Sequence, residues 1–270
     1  MSAELEPAAI GGPQLEGRTA IVTGGHTGIG LAVTRLFARH GANIAVFGRD
    51  QTAGAAAVDE AAALGAEATF VPIDLGVAAA IAPAVESVID TYGGVDILVN
   101  NAGTRGFRNR KGIAGLFDID ADNWDFVQAI NTRAPFLLIQ AVGRHLIDRG
   151  KGGNIVNVTS SSAFMAAPAS LHYAASKAAL TSLTRTCAAE LGLHGVNVNA
   201  VAPAITRTEY RLARGTDEGF KRSVSEGRMQ NLMHSVAEPE DVAEAVLFLC
   251  LPSSRQITGQ TIHTSAGLLV

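Results

Sequence analysis

Apolar runs and amphipathic stretches alternate along most of the chain. The apolar runs predict seven β-strands, at residues 19–24, 42–48, 68–74, 95–103, 153–160, 195–203 and 259–267. Helical patterns lie between them, at residues 30–41, 51–65, 77–93, 121–150 and 239–251, with a further helix that contains Tyr173 and ends near Leu191. Strands that alternate with helices are typical of a parallel sheet with helices on both faces. Right-handed crossovers then predict an α/β fold with a doubly wound, mostly parallel sheet.

The same pattern predicts one domain after a short N-terminal segment. Residues 1–16, which contain Gly11, Gly12 and Pro13, form a predicted flexible lead-in. Residues 17–270 show neither an internal repeat nor a linker, so we expect them to form a single domain. Residues 207–233 are polar and charged, with a weak helical pattern that is typical of a lid over a binding site.

Composition narrows the possible classes of protein. The chain is 47% hydrophobic and 17% charged, as expected of a globular enzyme, and its net charge of −4 argues against a nucleic-acid partner. The N-terminus carries acidic residues and no basic n-region, so no signal peptide is predicted, and no apolar run approaches the ~18 residues of a membrane span. The two cysteines, Cys187 and Cys250, share no metal-type spacing. We therefore expect a cytoplasmic protein with buried free thiols and no metal.

The first predicted strand runs into a glycine-rich loop, TGGHTGIG at residues 23–30, and then into a helix. Glycines in this position let the backbone approach a pyrophosphate, and the helix N-terminus supplies N–H donors. Gly24, Gly28 and Gly30 form G-x-x-x-G-x-G, which departs from G-x-G-x-x-G, and a tight turn that needs small residues is the alternative. The order of strand, loop and helix favours dinucleotide binding.

The end of the second predicted strand bears on the choice of dinucleotide. An acidic residue there would bind a ribose 2′-hydroxyl and select NAD, whereas an arginine would meet the 2′-phosphate of NADP. Gly48 leaves space without negative charge, and Arg49 follows at once. Asp50 could instead take the ribose or pair with Arg49. The sequence favours NADP and leaves NAD open.

Tyr173 and Lys177 stand four residues apart in an Ala-rich segment. In a helix, positions i and i+4 lie on one face. A cation beside a phenol favours the phenolate and lowers its pKa from an ordinary value of about 10. The pair predicts a proton donor tuned toward neutral pH, although a chance pair on a helix surface is the alternative.

Seven motifs in order make the chain resemble the short-chain dehydrogenase/reductase family in its single-domain, Rossmann-type form. The resemblance covers about residues 17–267. Its motifs are TGGHTGIG at 23–30, Asp74-Leu75, NNAG at 100–103, Asn131, a strand that ends in Ser160, YAASK at 173–177, and VAPAITRT at 201–208. The resemblance implies a dinucleotide-binding and catalytic domain over residues 17–270.

The resemblance implies four catalytic residues. Tyr173 would be the general acid in reduction and the base in oxidation, and Ser160 would hydrogen-bond the substrate oxygen. Lys177 would lower the pKa of the tyrosine and bind the nicotinamide ribose. Asn131 would hold a water that completes a proton relay. Donors placed where negative charge develops on a carbonyl oxygen give these roles a physical basis.

The resemblance also implies a set of cofactor contacts. Asp74 would contact the adenine, Asn101 to Gly103 would line the adenosine ribose, and Thr208, with the backbone near Thr206, would bind the carboxamide. The full set is Gly24, Gly28, Ile29, Gly30, Arg49, Asp74, Leu75, Asn101, Ala102, Gly103, Tyr173, Lys177, Pro203, Thr206 and Thr208.

Several residues depart from the family pattern or stay ambiguous. Ala204 stands where glycine is usual, and the ending HTSAG at 263–267 is unusual, which puts subunit contacts in doubt. An enlarged loop between Gly103 and Asn131 contains four basic residues, Arg105, Arg108, Arg110 and Lys111. The loop could be a solvated part of the surface, or it could bind an anionic or polyhydroxyl substrate. Solvation is our expectation for this loop, and also for two histidines, His26 and His172.

Taken together, these features predict an NAD(P)-dependent oxidoreductase that interconverts a secondary alcohol and a ketone. A 3-oxoacyl thioester reductase of lipid synthesis is the alternative among enzymes, and a non-catalytic dinucleotide-sensing module is the alternative of another class. The resemblance implies a homotetramer with a small-molecule substrate.

Overall fold

Seven parallel strands form one sheet in the computed structural model, which describes residues 12–106, 115–166, 171–213 and 215–269. The strands are β1 (Thr19–Thr23), β2 (Asn43–Gly48), β3 (Ala68–Pro72), β4 (Ile97–Asn100), β5 (Gly153–Val158), β6 (Val196–Pro203) and β7 (Thr261–Thr264). They lie in the order β3-β2-β1-β4-β5-β6-β7, and every neighbouring pair is parallel. The predicted doubly wound α/β fold is confirmed.

Nine α-helices lie in the described part of the chain. They are α1 (Gly28–Arg39), α2 (Gln51–Ala63), α3 (Ile81–Tyr92), α4 (Ala121–Gln128), α5 (Ala134–Arg149), α6 (Leu171–Leu191), α7 (Glu209–Leu212), α8 (Asp217–Ser225) and α9 (Pro239–Cys250). The segment predicted as a lid contains α7 and α8, and Thr206, just before it, forms a β-bridge with Ala237. No helix among the described residues is long and apolar enough to cross a membrane.

Alternate residues of each strand enter one of two hydrophobic cores, because side chains along a strand point to opposite faces of the sheet. Val22 and Val46 pack with α1 and α9, whereas Ile21 and Phe47 pack with α3 and α5. Both faces of the sheet are therefore covered, which explains the almost unbroken apolar runs of the strands.

Two expectations, the extent of the flexible lead-in and the burial of both cysteines, need correction. Leu15, in the predicted flexible lead-in, is fully buried in the first core, and its N–H donates to the His40 carbonyl at 2.9 Å. Of the two cysteines, Cys250 is buried, and burial raises the pKa of its thiol to about 12, but Cys187 is only partly buried.

The helix predicted over residues 121–150 is not continuous. A π turn at Ala129–Arg133 separates α4 from α5. Such turns shift the helical register by one residue and often occur at functional sites. This one contains Asn131, whose side chain it directs into the interior, where the residue is fully buried.

The strand order creates a crevice at the carboxyl end of the sheet. From β1 the chain passes to β2 on one side, whereas β4 lies on the other. Loops that follow β1 and β4 therefore leave in opposite directions, and ligands of open α/β sheets bind at this point.

Leu138 is almost completely buried against α3 and the sheet, so truncating its side chain should lower the stability of the protein considerably. We expect Leu138→Ala to lower the free energy of unfolding by about 2–5 kcal/mol, because it removes apolar contacts and leaves a cavity. Urea titration at fixed protein concentration measures the loss. Leu193→Ala, at a side chain that is 92% exposed, is the control and should change stability by less than about 0.5 kcal/mol. Equal effects of the two substitutions would contradict the assignment of the core.

Candidate active site

The loop after β1 forms a tight cradle at the N-terminus of α1. Gly24 and Gly28 have positive φ angles of 63° and 51°, which favour glycine. A Cβ on Gly30 would collide with the Gly24 carbonyl and the Asn101 side chain. The side chain of the N-cap residue, Thr27, makes no capping hydrogen bond to the first N–H groups of the helix. A close backbone approach beside open N–H donors fits the pyrophosphate of a dinucleotide.

Thr23 connects this loop to the end of β4 through hydrogen bonds. Its hydroxyl accepts the N–H groups of Asn101 and Ala102 at 2.9 and 3.0 Å. The Asn101 amide in turn donates to the carbonyls of Thr23 and Gly24 at 2.9 and 3.3 Å. The structure thus brings the predicted loop residues and the NNAG motif together at the crevice.

At the end of β2, the space above Gly48 is filled by the His26 ring. A Cβ on Gly48 would collide with that ring, which also packs edge-on against Phe70 with centroids 6.1 Å apart. The expectation that His26 is exposed was therefore wrong. Arg49 is exposed beside it, and the Asp50 carboxylate caps α2 by accepting the Ala53 N–H at 3.0 Å.

The other predicted cofactor residues differ in their surroundings. The exposed Asp74 accepts the Gly76 N–H at 2.8 Å, whereas Leu75 packs into the second core. Thr208 lies against Gly28, and its N–H donates to the Thr206 carbonyl at 3.0 Å. These contacts keep the segment after β6 beside the glycine loop.

A cavity of about 300 Å³ opens between the glycine loop and α6. Three of the predicted catalytic residues, Ser160, Tyr173 and Lys177, line it. The predicted cofactor residues that also line it are Ile29, Asn101, Gly103, Pro203, Thr206 and Thr208. Among the described residues, no three His, Cys, Asp or Glu side chains cluster as a metal site would require.

Lys177 is buried at 3% exposure, and its ammonium donates to the Val158 carbonyl at 2.7 Å. The same nitrogen lies 5.9 Å from the centroid of the Tyr173 ring. Burial lowers the pKa of Lys177, while the adjacent phenol raises it. The helical spacing therefore does place the cation beside the phenol, within the cavity and not on a helix surface.

The surroundings of Tyr173 acidify its phenol. Burial raises its pKa, but the positive charges of Lys177, Arg105 and Arg211 and a hydrogen bond with Ser160 lower it, and the net shift is downward. Ser160 begins a short turn after β5 and accepts the Ser162 N–H at 3.2 Å. This arrangement can deliver a proton to an oxygen in the cavity and stabilise the phenolate that remains.

Asn131 is held by three hydrogen bonds. Its Oδ1 accepts the Thr104 N–H, and its amide donates to the Thr104 carbonyl, both at 2.8 Å. The amide also donates its second proton in a hydrogen bond to the Ser176 hydroxyl at 2.9 Å. That hydroxyl in turn donates to the Tyr173 carbonyl at 2.7 Å. Both amide protons are therefore used within the protein, while the Oδ1 keeps a second lone pair that could accept a hydrogen bond from the predicted relay water.

Several residues of the site were not predicted individually, although Thr23 and Ser176 lie within the motifs at 23–30 and 173–177. Thr23, Thr104 and Ser176 act through hydrogen bonds between distant segments, and Arg211 enters the cavity from α7. Arg105, expected in a solvated loop, lies over the Tyr173 ring, so that expectation was wrong. The other basic residues of that loop, Arg108, Arg110 and Lys111, lie outside the described residues.

His172 also differs from expectation. It was predicted to face solvent, but it is only 3% exposed and packs against Gly106. Burial lowers the pKa of His172. The residue is therefore part of the packing behind the site.

Sequence comparison identifies the class of protein. A family model described as enoyl-(acyl carrier protein) reductase matches residues 24–269. The chain is also 31% identical, over 256 residues, to the 3-oxoacyl-[acyl-carrier-protein] reductase FabG of Chlamydia pneumoniae, covering 94% of this chain and 98% of that protein.

Solved structures agree with this match. A short chain dehydrogenase from Burkholderia cenocepacia J2315 in complex with NADP is 35% identical with a TM-score of 0.84, covering 94% of this chain and 99% of that one. A 7α-hydroxysteroid dehydrogenase complexed with NADH and 7-oxo glycochenodeoxycholic acid is 31% identical with a TM-score of 0.85, covering 94% and 95%.

The protein is an NAD(P)-dependent oxidoreductase that acts on alcohol and ketone groups. The chain belongs to the short-chain dehydrogenase/reductase family.

The charges around Tyr173 predict a phenol that ionises below its ordinary pKa of 10.0. The difference in tyrosinate absorbance between the wild type and Tyr173→Phe, titrated without nucleotide, should therefore have its midpoint below 10.0. Lys177→Met should raise that midpoint, since the nearby positive charge is lost while burial continues to disfavour the phenolate.

Lys151→Met, at an exposed lysine before β5, provides the control and should leave the midpoint unchanged. A midpoint at or above 10.0 in the wild type would refute the assignment, as would a midpoint that Lys177→Met does not move.

Proposed function

We propose that Tyr173 exchanges a proton with the oxygen of a small alcohol or ketone that binds in the cavity. The observation that carries this proposal is the position of its phenol among Ser160 and Lys177 at the cavity wall. When bound, a reduced nicotinamide supplies the hydride that the carbonyl carbon accepts. Tyr173 gives its proton to the carbonyl oxygen, and in the direction of oxidation its phenolate takes the proton from the hydroxyl.

Ser160 and Lys177 complete the proton transfer in this proposal. The Ser160 hydroxyl donates to the substrate oxygen where negative charge develops. The Lys177 ammonium stabilises the phenolate, and its hydrogen bond to Val158 fixes its direction. Burial of the ammonium strengthens its field at the phenol, because little water screens it.

We propose for Asn131 a positioning role. Its side chain joins Thr104, at the end of the NNAG segment, to Ser176 on the first turns of α6. This fixes the helix that carries Tyr173 relative to the loop after β4. A relay water could donate to the second lone pair of the Asn131 Oδ1 or bind at backbone groups of the π turn.

The dinucleotide is expected to bind at the glycine loop, and we propose NADP as the preferred form. Support comes from two features at the end of β2: Arg49 is exposed there, and the Asp50 carboxylate is engaged as the cap of α2. Asp74 and Leu75 would lie toward the adenine, with Leu75 contributing through its backbone because its side chain is buried. NAD remains the alternative form.

A 3-oxoacyl thioester is a second candidate for the substrate. Its support is the 31% identity to a protein named as a 3-oxoacyl-[acyl-carrier-protein] reductase. The same four residues would serve it, since the reacting group is again a ketone. Turnover of a 3-oxoacyl thioester in preference to free ketones would favour this candidate.

Several broader features belong to the same proposal. We expect residues 17–270 to act as one catalytic domain, residues 207–233 to form a lid, and the chain to assemble as a cytoplasmic homotetramer. Half-exposed Phe136 on α5 and partly buried Cys187 on α6 line one surface groove, which supports an assembly through these helices.

Removal of the phenol tests the catalytic assignment. We expect Tyr173→Phe to lower kcat by about 10²–10⁴-fold, since general-acid transfer contributes that much. Binding of reduced nucleotide, followed by its fluorescence, should persist because the glycine loop is untouched. Tyr92→Phe is the matched control, as its hydroxyl bonds to Thr69 far from the cavity, and it should keep wild-type turnover. A Tyr173→Phe enzyme with near-normal turnover would rule out this mechanism.

Removal of Arg49 tests the choice of nucleotide. We expect Arg49→Ala to raise the KM for NADP by roughly 10- to 100-fold, as loss of charge-assisted hydrogen bonds to a phosphate would. The KM for NAD should change little. Arg39→Ala, at an exposed arginine at the far end of α1, serves as the control. Equal changes for both nucleotides would end the assignment of Arg49 to the 2′-phosphate.

A further inference from the structure

Two arginines line the cavity beside the catalytic residues, and the mechanism proposed above gives neither of them a contact with the substrate. The guanidinium carbon of Arg105 lies 4.3 Å from the centroid of the Tyr173 ring. Arg211, on α7, lines the same cavity from the segment after β6. The positive charges of both act on the Tyr173 phenol.

The loop that carries Arg105 is held in place on both sides of that residue. Thr104 makes two backbone hydrogen bonds to Asn131. Gly106 has a positive φ of 84°, and a Cβ there would collide with Asn123 and His172. Both neighbours of Arg105 are thus fixed by buried side chains, so its position over the Tyr173 ring is built into the fold.

The charge of the cavity is strongly one-sided. Together with Lys177, the described lining residues include three cations and no aspartate or glutamate. Arginine stays protonated at any physiological pH. Like charges gathered in a partly desolvated cleft attract an anionic ligand and raise its local concentration.

We propose that the substrate carries a carboxylate, which Arg105 and Arg211 hold beside the carbonyl that reacts. This inference rests on the proposed function of Tyr173 and Ser160. A planar guanidinium can bind a carboxylate through two parallel hydrogen bonds. The substrate class is therefore a keto acid in reduction and the corresponding hydroxy acid in oxidation.

The size of the cavity favours a compact acid. Its volume of about 300 Å³ is at the lower end for ligand sites, and it must also admit the nicotinamide. A phosphate on an acyl carrier would lie a whole pantetheine arm away from the reacting ketone. Arg105 instead lies against the ring of the proton donor, where only a group close to the ketone can reach it.

Matched pairs of short keto acids and their methyl esters test this assignment, with reduced nucleotide at saturation. We expect the wild type to prefer the best acid over its ester by roughly 10- to 100-fold in kcat/KM, from charge-assisted hydrogen bonds. Arg105→Met and Arg211→Met should each remove most of this preference by raising the KM of the acid, while any effect of the lost charge on the Tyr173 phenol should change acid and ester alike. Arg105→Lys and Arg211→Lys should restore part of it.

Arg255→Met is the matched control, because it removes one exposed positive charge outside both the cavity and the proposed lid, and it should keep the wild-type preference. Three results would overturn the inference. One is a wild type with no preference for any acid in the panel. Another is an equal fall in kcat/KM for acid and ester in both Met variants, which would mean that the arginines act only on the Tyr173 phenol. The third is weaker binding of reduced nucleotide with an unchanged preference, which would assign them to the cofactor phosphates.

The same assays separate this inference from the proposed function. If Tyr173→Phe turns over esters as fast as the wild type, the catalytic assignment fails whatever the preference for acids. If Tyr173→Phe is inactive and the wild type treats acids and esters alike, only the carboxylate assignment fails.

Discussion

A buried positive charge is the constraint on which this site depends. Removing the Lys177 ammonium from water costs several kcal/mol unless polar partners replace the water. The Val158 carbonyl at the end of β5 and the phenol of Tyr173 are those partners. The ammonium and the phenolate stabilise each other. The fold must therefore keep them close together, which is also what proton transfer requires. The end of β5 and one helical turn of α6 must therefore keep a fixed relative position.

That position is fixed by a framework of buried amides and hydroxyls. Asn131 links the loop after β4 to α6, and Asn157 on β5 donates to Thr184 on the same helix at 2.9 Å. An unpaired buried polar group is costly, so each of these bonds resists displacement of α6. The π turn contributes by presenting Asn131 to the interior, where a regular helix would give it a different direction.

The sequence predicts the sheet well because each strand is a local signal. The seven apolar runs are short and end in glycine, proline or polar residues. The five inner strands are largely buried, whereas the edge strands β3 and β7 are half-buried, so local pattern and tertiary environment agree best in the middle of the sheet. The motif residues Ser160, Tyr173 and Lys177 are equally predictable, since strand ends and helical spacing bring them to one cavity.

The failures concern contacts between segments that are distant in the chain. No periodicity in the sequence indicates that His26 fills the space over Gly48. Nor does it indicate that the backbone of Thr104 bonds to both the oxygen and the nitrogen of the Asn131 side chain. Composition suggested a solvated loop for Arg105, because a cluster of basic residues is usually exposed. Its neighbour Gly106 makes a turn with positive φ that passes His172 and Asn123 closely. A glycine in a loop signals such a turn, but not its direction.

Selectivity and catalysis are mechanically linked in this arrangement. The hydrogen bonds that hold Asn131 also hold Thr104, and Thr104 is the neighbour of the arginine that lies over Tyr173. A change in the loop after β4 would therefore move both the charge that we propose meets the substrate and the support of α6. By contrast, Arg211 belongs to a short helix outside the sheet, whose position depends on the segment around Arg207 and its ion pairs with Asp217 and Glu238. One side of the substrate site is thus rigidly joined to the catalytic framework, and the other follows the segment that we propose as the lid.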